Sequence, residues 1–259
     1  FIKTYEETLA MVKEVEQLRI NPADYAYEIT KTGKRDDSVV NHRIYRQKQE
    51  GLYYVEYHPV GGDANVEHLL SALDYAVTLD QVEARIAPDQ SLYFINLTAD
   101  EARKIADLTD DSAINEFRRS VSCVGSTVCQ IGIQDSNGLL KAIFTHLEAK
   151  GVDTRKLPRL HISGCPHSCG THQIGEIGFH GSVKLVDKKP TTSFMLVDGG
   201  SEHMGSENFG KMAGHIVATK IPEFMEALAN KLNEAPEPDF GTWRLTHKAE
   251  YMELIKAFE

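Results

Sequence analysis

The amino-acid sequence predicts an α+β fold, and three observations carry the prediction. Stretches rich in aromatic and β-branched residues recur as short strand-like runs. Between them lie stretches whose apolar residues keep to one helical face. Glycine and proline clusters separate the two kinds of stretch, and their order, strands mixed with helices rather than regularly alternating, points to α+β layers.

The opening stretch TYEETLAMVKEVEQL predicts a helix, with Thr4 and Glu7 as a capping box and Leu9, Val12, Val15 and Leu18 on one side. Residues 21–43 are polar and irregular and form a linker, so residues 1–43 are a helix plus linker ahead of the first folded module. Residues 52–58 predict a strand broken by Pro59 and the Gly61-Gly62 pair. Val66, Leu69, Leu70, Leu73 and Val77 then mark a helical face. Two short strands flank a turn at Pro88-Asp89, and Thr98 with Glu101 caps the helix that follows. Residues 44–109 thus form a compact β-α-β-β-α unit, a sandwich of ferredoxin-like type.

The remaining residues, 110–259, begin with a polar stretch and then the helix LLKAIFTHLEAK, ended by Gly151. RLHIS is a short strand, EIGFHGSVKLV and TSFMLVDGG pair as strands, and IPEFMEALANKLNE is a helix with proline in its first turn. APEPDFG marks a loop, and THKAEYMELIKAF a last helix.

Composition bounds the function. The chain has 259 residues, 41% hydrophobic and 25% charged, typical of a folded domain. A formal charge of −10 disfavours nucleic acid as a partner, and no apolar run approaches the length of a membrane span. Four cysteines are too few for a disulfide scaffold, and their clustering suggests ligands in a reducing, cytoplasmic setting.

Those four cysteines form two pairs, Cys123-x5-Cys129 and Cys165-x3-Cys169, separated by 35 residues. Three chemistries compete for them. Burial as plain apolar side chains fits poorly, because Gly125, Gly164, Pro166 and Gly170 are loop residues. Structural zinc admits the x3 pair, but the x5 pair is wide. An iron–sulfur cluster needs four thiolates and close backbone N–H groups, and glycines permit that approach.

The run C-x5-C, followed by G-C-P-x-S-C-G and I-G-x-I-G-F-x-G, resembles the second half of the sirohaem-dependent nitrite/sulfite reductase family. QKQEGLYYVEYHPVGG and EARIAPDQSLYFINL extend the resemblance, which runs from about Gln47 to Glu234. It implies a ferredoxin-like half-domain followed by a domain holding a 4Fe-4S cluster and sirohaem. The implied ligands of the cluster are Cys123, Cys129, Cys165 and Cys169. Cys169 would also be the axial ligand of the sirohaem iron. The implied activity is the six-electron reduction of sulfite to sulfide or nitrite to ammonia, with ferredoxin or a flavoprotein as one-electron donor. A second reading is a non-catalytic electron-transfer or apo fragment, and a zinc-stabilised module ranks third.

Two departures follow. His167 stands where the family commonly has asparagine; a loop histidine bonded to backbone is the simplest expectation, and His172 and His180 are further candidates for proton transfer. Family members carry two homologous halves, and the implied substrate-binding Arg and Lys cluster lies largely in the first. The resemblance therefore implies that a partner half or self-association completes the site. Arg43, Arg46, Lys48 and Arg85 are candidates to reach cofactor carboxylates. G-x-G-x-x-G is absent, which argues against binding NAD(P)H directly.

Overall fold

The computed structural model describes residues 3, 6–11 and 28–259. The chain divides into two compact units, Phe1–Lys31 and Thr32–Glu259. In the first, residues 6–11 are helical; Thr4, Val12, Val15 and Leu18 of the expected N-terminal helix lie outside the described residues.

The second unit contains two sheets and two apolar cores. The first sheet joins β1 (Ile44–Arg46), β2 (Tyr53–Tyr57), β3 (Glu83–Ile86) and β4 (Leu92–Leu97) in the order β1-β2-β4-β3, with every neighbour antiparallel. Helices α1 (Val66–Ala76) and α2 (Ala99–Leu108) bury Ala72, Ala102 and Ile105 against Tyr53, Val55 and Phe94 on one face of it. Asn65 caps α1 by accepting from the Glu67 and His68 amides. The expected Thr98–Glu101 box is present in full at α2. This is the split β-α-β arrangement of a ferredoxin-like sandwich. The sequence reading of the unit lacks only β1, an edge strand of three residues.

The second sheet has the order β5-β6-β7-β8-β9. Strands β5 (Val121–Ser122), β6 (Leu160–Ser163) and β7 (Ile177–Val186) are parallel; β8 (Lys189–Asp198) and β9 (Lys211–Val217) add antiparallel. Helix α3 (Ser136–Ala149) connects β5 to β6, as a parallel pair requires. Helix α4 (Ile221–Glu234) packs beside α3, and α6 (Lys248–Phe258) beside α4. These helices bury Leu140, Ile143, Phe224, Leu228 and Ile255 against Ile162, Phe179 and Leu196 of the sheet. Trp243 on the short helix α5 (Phe240–Thr246) is also internal, so the expected loop at 235–241 ends in a helix, capped by Asp239 accepting from the Thr242 amide. Strand β9 has no counterpart in the sequence reading.

The period-2 alternation of β6 and β7 sends Leu160, Ile162, Ile177 and Phe179 to the helices and leaves His161, Ser163, Gly178 and His180 on the opposite face. There the segment after Cys169 folds back over the sheet. A Cβ on Gly178 would stand 1.9 Å from the His172 carbonyl oxygen, which shows how closely that segment lies. Among the described residues no helix is long and apolar enough to cross a membrane.

Candidate functional site

Both cysteine pairs sit on bends at the C-terminal ends of parallel strands. β5 runs directly into Cys123, and β6 into Cys165. Backbone bonds hold the bends against one another: the Ile133 and Gln134 amides both donate to the Gly164 carbonyl, at 3.1 and 2.8 Å, and the Cys123 amide donates to Ile162 O at 3.0 Å. Residues distant in sequence are thereby brought side by side.

The sulfur environments differ. Cys123 Sγ accepts the Gly164 N–H at 3.1 Å and lies 3.1 Å from the Ser136 hydroxyl oxygen. Ser136 donates to the Cys123 carbonyl at 2.7 Å, so the hydroxyl is fixed by the same residue that it flanks. Cys165 is buried, Cys123 and Cys129 are half-buried, and Cys169 is exposed. Four thiolates around a single zinc, with Zn–S bonds of about 2.3 Å, would stand about 3.8 Å apart. No three cysteine sulfurs lie within 4.8 Å of one another among the described residues. A backbone N–H aimed at sulfur is what iron–sulfur clusters receive from their proteins.

One buried serine organises the segment after Cys169. Ser163 Oγ accepts the Gly170 N–H at 3.0 Å and lies 2.9 Å from His172 Nδ1. Gly170 approaches β6 so tightly that a Cβ there would be 2.0 Å from the Ile162 carbonyl oxygen. Cys169 is thus followed by a residue locked to the strand, while its own side chain faces outward.

The histidines occupy distinct places. His167, exposed, has Nδ1 3.3 Å from Cys165 Sγ, so it meets a sulfur rather than the backbone expected for it. His172 is buried with its ring 4.8 Å from that of His180. Burial, with His180 and His161 nearby, pushes His172 down to about 4. His161, within 2.8 Å of the Thr171 hydroxyl, is likewise pushed down to about 4 by burial and then by Arg159.

Of the basic candidates, Arg43 is turned inward, donating to the Glu56 and Ala106 carbonyls and to Thr109. Arg46 pairs with Asp37, and Arg85 with Glu83. Lys48 is exposed on the rim of a hollow of about 300 Å³ that Arg35 and Arg46 also line. A larger hollow of about 450 Å³ opens beside Cys123, lined by Ser122, Val124, Asn137 and Lys141 together with Gly61 and Gln90. The sequence reading missed Ser136 and Ser163. Their signals were faint: a serine directly after the capping Asp135, and a serine that ends the strand Leu160–Ser163, where apolar and polar residues alternate.

No protein-family model matches the chain. It is 26% identical over 193 residues to the ferredoxin–nitrite reductase of Synechococcus elongatus, covering 71% of this chain and 37% of that protein. The sulfite reductase (NADPH) hemoprotein beta-component of Lysinibacillus sphaericus is 28% identical over 124 residues, 44% of this chain and 22% of that one. The chain therefore spans well under half the length of these curated relatives. Among solved structures, the NirA protein of Mycobacterium tuberculosis superposes with a TM-score of 0.63 at 20% identity, covering 80% of this chain and 40% of that chain. A dissimilatory sulfite reductase I superposes with a TM-score of 0.56 at 9% identity, covering 79% of this chain and 69% of that chain. In sequence the chain is similar to these nitrite and sulfite reductases, and in fold to the NirA and dissimilatory sulfite reductase structures.

Proposed function

We propose that Cys123, Cys129, Cys165 and Cys169 together hold one 4Fe-4S cluster, and that Cys169 shares its sulfur with the iron of a sirohaem. The observation that carries this reading is the pairing of the two bends through Gly164, whose carbonyl ties the first bend and whose amide donates to Cys123 Sγ. When bound, these groups supply electrons singly to a small oxyanion, for a six-electron reduction of sulfite to sulfide or nitrite to ammonia. The chain's own residues prepare the site. The Gly164 N–H donates to the Cys123 sulfur, and Ser136, bonded to the Cys123 carbonyl, fixes the backbone that carries it. Ser163 holds Gly170, and so keeps Cys169 at the surface where a second metal centre can reach it. His172, depressed by burial, stands neutral at physiological pH.

The relatives' names supply ferredoxin as the electron donor and nitrite or sulfite as the substrate; a cytoplasmic setting rests only on four clustered cysteines in a chain of this size. Because the relatives are much longer, the whole activity requires a further half or self-association. An electron-transfer or apo fragment is the second reading, favoured by the same partial length.

The test is the visible absorption spectrum of the anaerobically reconstituted protein with and without Cys169→Ser. The proposal expects a broad cluster shoulder plus sharp red-region haem bands, both disturbed by the substitution. Haem bands that survive Cys169→Ser unchanged contradict the shared sulfur.

A further inference from the structure

A second group of chemically active side chains lies away from the cysteines, where β2 leaves the ferredoxin-like sheet. His58 is 1% exposed. Its Nδ1 lies 2.9 Å from Ser91 Oγ, and the Ser91 hydroxyl donates to Glu56 Oε1 at 3.2 Å. A serine has one hydrogen, and here the carboxylate takes it. The imidazole must then be the donor to Ser91, so Nδ1 carries the proton and Nε2 keeps a bare lone pair. That Nε2 is buried and without a hydrogen-bond partner. A lone pair left so is costly unless something occupies it.

The ligand-capable atoms of Glu56, His58 and Asp89 lie within 4.8 Å of one another. A histidine whose other ring nitrogen donates into a hydroxyl–carboxylate chain has the outer-shell support that metal-ligating histidines use. The surrounding charge agrees in sign. Arg119 pairs with Glu56 and Glu116, while Arg159 faces Asp89 at 3.7 Å, Glu116 at 3.3 Å and Glu202 at 3.4 Å. Two guanidiniums thus face four carboxylates, an excess of two negative charges. The cluster of His68, Asp110 and Asp111 contrasts with this one. There Nδ1 already lies 3.1 Å from an oxygen of each carboxylate, and Asp110 is exposed.

We propose that Glu56, His58 and Asp89 bind one divalent transition-metal cation of the manganese, iron or zinc class, through one imidazole nitrogen and two carboxylates. The site is independent of the cysteines. It has a structural consequence near them: Asp89 precedes Gln90, whose side-chain amide donates to the Ser122 carbonyl at 2.7 Å, one residue before Cys123. A cation on Asp89 pins the turn that clasps the first cysteine strand.

The test is titration of the purified full chain with Mn²⁺ at neutral pH, reading free Mn²⁺ by electron paramagnetic resonance. Manganese is the probe because it prefers oxygen and nitrogen ligands to thiolates. The expected result is saturable binding of one ion, weakened about tenfold or more by His58→Gln and by Asp89→Asn, and unchanged by His68→Ala. Asp89 sits on a partly exposed turn, so Asp89→Asn decides the matter if His58→Gln does not fold. No saturable binding, binding that persists in Asp89→Asn, or binding lost in His68→Ala overturns the proposal.

Discussion

Replacing Ser163 with alanine removes a single hydroxyl and leaves two buried partners without it. Ser163 is 1% exposed; its oxygen accepts the Gly170 N–H at 3.0 Å and meets His172 Nδ1 at 2.9 Å. A buried polar group left without a partner costs about 1–3 kcal/mol. Two such groups, with some relaxation, give a loss of about 2–4 kcal/mol. In a chain of this size 1 kcal/mol moves Tm by about 2–4 °C, so the melt should fall by roughly 5–15 °C. Urea unfolding of wild type and Ser163→Ala measures the loss, and hydrogen exchange of the Gly170 amide locates it. A loss within about 0.5 kcal/mol, as for a surface change, together with undiminished protection of that amide, refutes the claim that Ser163 anchors the Cys169 bend.

Three further outcomes are expected. His58, His161 and His172 are all held near 4, below an unfolded value of about 6.5. Stability is therefore full above pH 6.5. It declines as pH falls towards 4, by up to about 1.4 kcal/mol per pH unit for each histidine, because the unfolded chain takes up protons that the folded chain refuses. Urea midpoints at several pH values measure the slope, and His161→Gln should flatten it by about a third; a flat wild-type profile refutes the assignment. Arg119→Ala strands the buried Glu56 carboxylate and should cost about 3–5 kcal/mol by urea unfolding, whereas Arg155→Ala on the surface should leave the urea midpoint essentially where it is. Gly151→Ala places a side chain at φ +64° with open space around it, so it should cost only about 1 kcal/mol. Gly170→Ala, which meets backbone at 2.0 Å, should cost more in the same measurement; equal losses contradict the packing of the Cys169 bend.

The elements legible in the sequence are those whose local signals agree with their tertiary setting. Ile221–Glu234 carries a first-turn proline and a regular apolar stripe, and all of Ile221, Phe224, Met225, Leu228 and Leu232 point inward. The Thr98–Glu101 box and the left-handed Gly151 likewise appear where the sequence places them. What escaped has weak local character. KMAGHIV is broken by Gly214 and lined by polar residues, and becomes β9 only because β8 offers it an edge. Phe240–Thr246 opens with Phe-Gly after a proline-rich loop, yet Trp243 must be buried and the chain coils to bury it.

The candidate site divides in the same way. Cysteine spacing is a property of the sequence and could be read there directly. The Gly164–Cys123 bond, the Ser136 hydroxyl beside Cys123 and the burial that neutralises His172 are contacts between residues brought together by folding. Composition carries no trace of them. Arg43 shows the converse: a basic residue next to a strand looked available for an anion, but three oxygen acceptors inside the fold already hold it.

The central claim is that four sulfurs on two distant bends serve one inorganic cage. Bound iron and acid-labile sulfide, quantified after anaerobic reconstitution of the wild-type chain and its four single Cys→Ser variants, test it most directly. Equal amounts of iron and sulfide in the wild type, reduced in every variant, are the predicted result. Stoichiometric zinc without sulfide, or a variant that keeps the full complement of both, would contradict it.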